Sequence, residues 1–421
     1  MAELTEKQMV LLNSFIYLDV DLPAGADLGD LANSLRDTGL KGMEIGGGMD
    51  KKEALEMLEQ IATDETLANL KISDSVNGEI RAACFVDSQN DAVITYRGTG
   101  PLYVAWDDNA QGGYLADTDM QKQALAFAEK CAVQYDDITV TGHSKGGNMA
   151  QYVTIRMGNE IDRCVSFDGQ GFSGEFQEKY SAEILANRHK IRSVCAYNDF
   201  VNGALPSIAS ETVYLDNTYN GIGKPGHYIY NLYKDPDNVM VNGEYITSKE
   251  QDPIIKLLFS WANDLNTDLD GASPEIQFLV YSIIGIGMGS IFGDNISISQ
   301  KFTELLKNAK DILAEQAQQI IRGPKPGPAS MTVDTGAMRG MCTTLSDAAW
   351  QVEQLQTRIR NIRKKMASNI ISDGMIMGIP VQTVLLQLDR ESEKLDRLSK
   401  ALSRCADQYD AAEERITGLA T

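Results

Sequence analysis

Residues 137–150 read DITVTGHSKGGNMA, and the pentapeptide Gly142-His143-Ser144-Lys145-Gly146 within them constrains the fold more than any other segment. It fits G-x-S-x-G, a turn that takes a serine from the end of a strand straight into a helix. Ile138, Thr139 and Val140 before it are β-formers of a short buried strand. Met149, Ala150, Val153 and Met157 after it fall at helical spacing. Gly142 and Gly146 have a steric task. A serine on so sharp a turn sits in a strained backbone conformation, and side chains two residues before or after it would collide. The strain exposes the hydroxyl at a helix N-terminus, where backbone N–H groups can receive an oxyanion. The alternative is a glycine-rich strand–helix turn without chemistry.

The surrounding pattern supplies a setting for such a turn. Residues 5–18 and 51–61 read as amphipathic helices. Residues 79–86 and 92–97 read as strands joined by the polar turn 87–91. A helical period over 118–134 leads into the strand before Ser144, and further strands are expected at 163–167, 191–197 and 212–215. Strands alternating with helices predict an α/β fold with a mostly parallel sheet covered on both faces. The most apolar stretch, 276–293, falls short of a membrane-spanning length and carries Gly285, Gly287 and Gly289. It is expected to be a buried helix or a cover over a substrate cleft, not a transmembrane span.

Pro and Gly alternate over 322–328, which no helix can continue, so 323–328 is expected to be a linker. It separates a first domain, 1–322 (including a helical segment, 253–322), from 329–421. In the latter, Met338, Met341, Leu345, Ala348, Val352, Leu355, Ile359, Ile362 and Met366 keep a 3,4 spacing. The rhythm resumes at Val381 after a breaker at Asp373-Gly374. This predicts a C-terminal antiparallel helical hairpin with coiled-coil seams, each arm about 50 Å long. Its apolar edges are expected to take small helical partner proteins or to dock on the first domain.

Charge and composition exclude several classes. The net charge of −21 lies wholly in residues 1–329, which hold 26 basic and 47 acidic side chains, while 330–421 balance 12 against 12. Nucleic acid needs a basic face, and tight adsorption to anionic membranes is disfavoured for the same reason. No basic n-region followed by an apolar core opens the chain, so no cleavable signal peptide is expected. The six cysteines are scattered without a C-x-x-C pair and read as reduced thiols. The three histidines stand at no ligand spacing; no metal and no cofactor are expected.

A serine nucleophile needs a base, and the base an orienting carboxylate. His143 adjoins the serine on a sharp turn and is read as a packing residue. His189, in Asn187-Arg188-His189-Lys190, is read as a surface residue at a helix end. His227, in the loop Gly223-Lys224-Pro225-Gly226-His227-Tyr228, is the candidate base and completes the order Ser…Asp…His. Asp199, after the strand at 191–197, is favoured as the acid. Asp216 is its competitor, and Asp168 is set aside as too near the serine. The oxyanion hole would combine the N–H of Lys145 with Thr99, at the strand–loop junction Arg97-Gly98-Thr99-Gly100.

Five motifs occur in the order of a known family: Tyr96-Arg97-Gly98-Thr99, Trp106-Asp107-Asp108, Thr141–Gly147 as TGHSKGG, Phe167-Asp168-Gly169-Gln170-Gly171-Phe172, and Asn198-Asp199-Phe200-Val201 ending at Leu205-Pro206. Over roughly residues 1–260 the chain resembles the class 3 (fungal-lipase-like) lipases, and more closely their bacterial lipase-like relatives of the GHSKGGN type. The resemblance implies an α/β-hydrolase fold and hydrolysis of an acyl ester or lipid. It implies Ser144, Asp199 and His227 as triad, with Thr99 and Lys145 as oxyanion donors. Lys145 stands where typical lipases have leucine. The hairpin beginning Met331-Thr332-Val333-Asp334-Thr335 is similar to the WXG/LXG-type domains of type VII secretion substrates, although no W-x-G marks its turn. The pair resembles lipase effectors of Gram-positive bacteria, which implies export without a cleavable signal peptide; a cytoplasmic location is the other expectation. Two further readings stand beside a secreted hydrolase. One is an idle hydrolase fold serving as a binding or delivery module, the other an intracellular esterase.

Overall fold

The computed structural model describes residues 4–99, 108, 109, 111–113, 115–199, 201, 202, 205–218, 224–247 and 249–251, with isolated helical positions between 339 and 407. Four helices come first: α1 (Glu6–Phe15), α2 (Leu28–Thr38), α3 (Lys51–Thr63) and the one-turn α4 (Glu65–Ala68). Strands β1 (Lys71–Asn77), β2 (Arg81–Val86) and β3 (Ala92–Tyr96) follow. Then come α5 (Asp119–Ala132), β4 (Ile138–His143), α6 (Lys145–Met157), β5 (Arg163–Phe167), α7 (Gly174–Lys179), α8 (Ser181–Asn187), β6 (Ile191–Ala196) and β7 (Glu211–Leu215). Helix α9 (Ile229–Lys234) and a small ribbon, β8 (Met240–Val241) with β9 (Glu244–Tyr245), complete the described elements.

The seven strands β1–β7 form one sheet in sequence order, antiparallel from β1 to β3 and parallel from β3 to β7. This is a mostly parallel α/β fold, as the alternation of strands and helices predicts. Side chains alternate across it. On β2, Ala82 and Cys84 enter one core while Ala83 and Phe85 enter the other. Because the strand order never reverses, crossovers of one hand leave their helices on one face. Met120 of α5, Val153 of α6 and Phe176 of α7 accordingly share a core with Ile94, Val140 and Cys164. The opposite face would be bare without the N-terminal helices. Phe15 of α1, Leu35 of α2, Met57 of α3 and Ile229 of α9 cover Val93, Phe167 and Val194 there.

Local signals start and stop these helices. Thr5 with Gln8, Asp50 with Glu53 and Thr118 with Gln121 form capping boxes at α1, α3 and α5. Gly39, at φ 62°, ends α2 in the left-handed conformation. Helix α1 is buried on its polar side too. Asn13 donates to Thr141 Oγ1 on β4 at 2.9 Å, and Glu6 Oε1 lies 2.7 Å from Arg192 Nε on β6. The N-terminus is thereby fixed to the two strands that flank β5.

The strands expected from sequence appear within two residues of their expected ends, as do α3 and α5; α1 is three residues shorter than expected at its C-terminus. Helix α2 and strand β1 are not among the elements expected from sequence, although Leu28, Leu31, Ala32 and Leu35 of α2 stand at helical spacing. Strand β1 is an edge strand in which only Ile72 is fully buried, so no alternation marks it.

The chain divides into two compact units, Met1–Tyr281 and Ser282–Thr421. The expected segment 253–322, including the apolar stretch 276–293, and the linker 323–328 lie outside the described residues. So do the seam positions of 329–421. In the second unit, residues 339, 340, 343, 346, 350, 397, 400, 403, 404 and 407 are helical, and all but Ser403 are exposed. Arg339 Nη2 lies 2.8 Å from Asp407 Oδ1. Among the described residues no helix is long and apolar enough to cross a membrane. Cys84, Cys131, Cys164 and Cys195 are free and buried; Cys342 and Cys405 lie outside the description.

Candidate active site

Ser144 joins β4 to α6 with φ 59° and ψ −124°, a conformation that L-residues avoid. Strain of this kind costs about 1–3 kcal/mol and persists only where the surroundings enforce it. The enforcement is visible in the glycines. A Cβ on Gly142 would stand 2.1 Å from Gly146 O, and one on Gly146 would stand 2.0 Å from Tyr96 O. The register that pairs Tyr96 with Gly142 brings the end of β3 against the turn. A Cβ on Gly98 would accordingly meet Ser144 Cβ at 3.0 Å. On the other side, Ser144 N donates to Phe167 O of β5 at 2.9 Å.

His227 closes a 3₁₀ turn, Lys224–His227, and its Nδ1 lies 2.7 Å from Asp199 Oδ1. Asp199 is fully buried just beyond β6. Its other oxygen accepts from Val201 N (3.0 Å), Asn202 N (2.9 Å) and Asn202 Nδ2 (2.9 Å), so the carboxylate cannot swing away from the imidazole. Asp216 is engaged elsewhere: it pairs with Lys249, and its N–H donates to Asn238 Oδ1 at 2.8 Å. His189 is exposed on the turn Arg188–Lys190.

His143 does more than pack. Its Nε2 is 2.9 Å from the backbone oxygen of His227, and its Nδ1 is 2.8 Å from Tyr17 Oη. A carbonyl only accepts, so Nε2 carries the hydrogen. Burial first, and then the neighbouring His227, hold its pKa well below 6.5. The ring is therefore neutral, and Nδ1 accepts from the Tyr17 hydroxyl. The residue before the serine thus grips the main chain of His227, with ring centroids 4.6 Å apart. No sequence pattern points to Tyr17, which lies 126 positions from its partner.

Thr99 lies just past β3, where Asn109 Nδ2 donates to its Oγ1 at 2.8 Å. That bond uses an acceptor lone pair and leaves the hydroxyl hydrogen to be directed elsewhere. Lys145 opens α6, where its backbone N–H is among those without an intrahelical partner. Its side chain turns away into a buried ion pair, Nζ to Asp108 Oδ2 at 2.6 Å. Asp108 also accepts from Thr118 Oγ1 (2.8 Å) and Met120 N (3.0 Å) at the start of α5. The lysine that replaces the lipase leucine therefore ties the turn to α5. This partner was missed because a spacing of 37 residues has no periodic signature.

His143, Asp168 and His227 offer donor atoms within 4.8 Å of one another, close enough to hold a metal ion. Both ring nitrogens of His143 and Nδ1 of His227 are already committed to the bonds above, so an ion there would have to break them.

Residues 62–255 match the family model described as Mbeg1-like, a lipase-like family. The match takes in the whole sheet and every residue of the site except Tyr17. Fold and match together speak for a lipase-like hydrolase. No curated protein matches the chain.

Proposed function

We propose that the chain is a carboxylic ester hydrolase working through an acyl-enzyme. Ser144 Oγ attacks the ester carbonyl while His227 Nε2 takes its proton. Asp199 holds Nδ1–H and balances the imidazolium that forms. Thr99 and the Lys145 N–H receive the oxyanion. His227 then protonates the leaving alcohol, and water activated by the same imidazole releases the acid. The observation that carries this reading is the 2.7 Å contact between His227 and Asp199, in a segment gripped by the residue preceding a strained serine. The excess of acidic side chains in residues 1–329 favours neutral acyl esters over anionic headgroups.

Residues 329–421 act, in the same proposal, as an antiparallel helical hairpin for partner binding or export. The Arg339–Asp407 pair supports it, because the midpoint of 339 and 407 is 373, where the Asp373-Gly374 breaker stands. Deletion of 329–421 should abolish partner binding and spare hydrolysis. A fluorophosphonate should label the wild type and not Ser144→Ala. Folded wild-type protein that fails to label would leave the fold as an idle binding module.

A further inference from the structure

Asp168, at the end of β5, is a second carboxylate within the site that the mechanism above does not use. It is 1 % exposed and adopts φ 46°, a left-handed conformation uncommon for aspartate outside sites that enforce it. Its Oδ1 accepts from Ala196 N at 2.7 Å. Asn202 Nδ2 reaches both acids, at 2.9 Å from Asp199 Oδ2 and 3.4 Å from Asp168 Oδ1. Among the described residues Asp168 Oδ2 has no hydrogen-bond partner, and a carboxylate oxygen of Asp168 lies within 4.8 Å of a ring nitrogen of His227.

From this arrangement we propose that Asp168 is a reserve positioning acid for His227, poised on the strand next to the one that carries Asp199. The inference rests on the Ser144–His227–Asp199 reading. A buried carboxyl beside a second carboxylate resists ionisation. Burial, and then the nearby Asp199, raise Asp168 well above the usual carboxylate range, whereas Asp199 accepts three N–H groups in addition to His227. Asp168 is therefore the carboxyl that holds a proton. When the Asp199 carboxylate is removed, its repulsion goes with it. Asp168 then releases its proton to solvent, and its free Oδ2 moves into the vacated space beside Nδ1 to balance the imidazolium. Among the described residues the titratable groups around Asp168 are Asp199 and Cys195 on the β6 side, His143 on β4, His227 on its turn and Tyr214 on β7.

The test is a double-mutant cycle on the full chain, with kcat/KM for a short-chain ester as readout. Asp199→Ala is preferred to Asp199→Asn, because an amide NH₂ would donate to Nδ1 and hold the wrong tautomer. Loss of a triad aspartate ordinarily costs about 10⁴-fold. Asp199→Ala should instead stay within about a hundredfold of wild type, and adding Asp168→Asn should bring the loss to about 10⁴-fold. The cost of Asp168→Asn should be at least about tenfold greater in the Asp199→Ala background than alone. The acid limb of the Asp199→Ala pH profile should also move to higher pH, and that displacement should be absent in the double variant. Equal costs in the two backgrounds overturn the proposal. A measurement that needs no Asp199 variant is the infrared carbonyl band of a protonated carboxyl at neutral pH. It should be present in wild type and lost in Asp168→Asn; superimposable spectra overturn the proposal. Wild type that neither labels with fluorophosphonate nor hydrolyses esters overturns both readings, whereas labelled wild type with equal costs overturns the reserve acid alone.

Discussion

Replacing Lys145 by leucine, the residue typical of class 3 lipases, isolates the energetic role of the buried pair with Asp108. Leucine fills most of the space of the lysine stem, so little apolar contact is lost. What remains is a carboxylate with 6 % side-chain exposure and no cation. Removing one partner of a buried pair costs about 3–5 kcal/mol, mostly as the penalty of the orphaned charge. Asp108 keeps its bonds from Thr118 and Met120, which places the expected cost at the low end, about 3 kcal/mol. Equilibrium urea unfolding should show a lower midpoint at unchanged slope, and the melting temperature should fall by about 6–12 °C. Adding Asp108→Asn removes the charge, keeps an acceptor oxygen for Met120 N and turns an amide NH₂ toward Thr118 Oγ1, which can accept from it, and should restore about 2 kcal/mol. A single variant within about 1 kcal/mol of wild type, or a double variant no more stable than the single, would refute the argument.

Three further outcomes are expected. His143 is held neutral, so its stabilising contribution is complete above 6.5 and is lost as pH falls from there towards its depressed folded value, by at most about 1.4 kcal/mol per pH unit. Melting temperatures from about pH 7.5 to about pH 5 should fall less steeply in His143→Gln than in wild type; equal slopes count against it. Gly146→Ala, with its Cβ 2.0 Å from Tyr96 O, should cost about 3 kcal/mol or more and abolish fluorophosphonate labelling. Gly174→Ala, with nothing within 4 Å, should change stability by less than about 0.5 kcal/mol, so equal effects at the two glycines would remove the steric explanation. Thr99→Val should lower kcat by about 10²–10³-fold with little change in KM, and an unchanged kcat would rule out the Thr99 hydroxyl as an oxyanion donor.

Much of the architecture is legible in the chain because its causes are local. The β-run before Ser144, the helical spacing after it and the glycines two residues to either side are short-range necessities, and each appears in the structure as an element end or a close backbone approach. The capping residues Thr5, Asp50 and Thr118 act within three residues, so α1, α3 and α5 begin close to where the sequence places them. Edge strand β1 needs only one fully buried side chain, and Ile72 alone makes no pattern.

What the tertiary structure alone decided are contacts between distant segments. Spacing left Asp199 and Asp216 as rivals; the fold sets Asp199 against His227 and gives Asp216 to Lys249. Lys145 reads as an anomaly until Asp108 comes within 2.6 Å, and His143 reads as packing until Tyr17 and the His227 carbonyl fix its tautomer. The consecutive strand order is of the same kind. It puts the crossover helices on one face and makes α1–α3 and α9 the cover of the other. The physical reason is one of range. Periodicity, capping and steric clash act over a few residues and are written along the chain. Ion pairing and hydrogen bonding depend on distance in space, and only the folded sheet creates that distance.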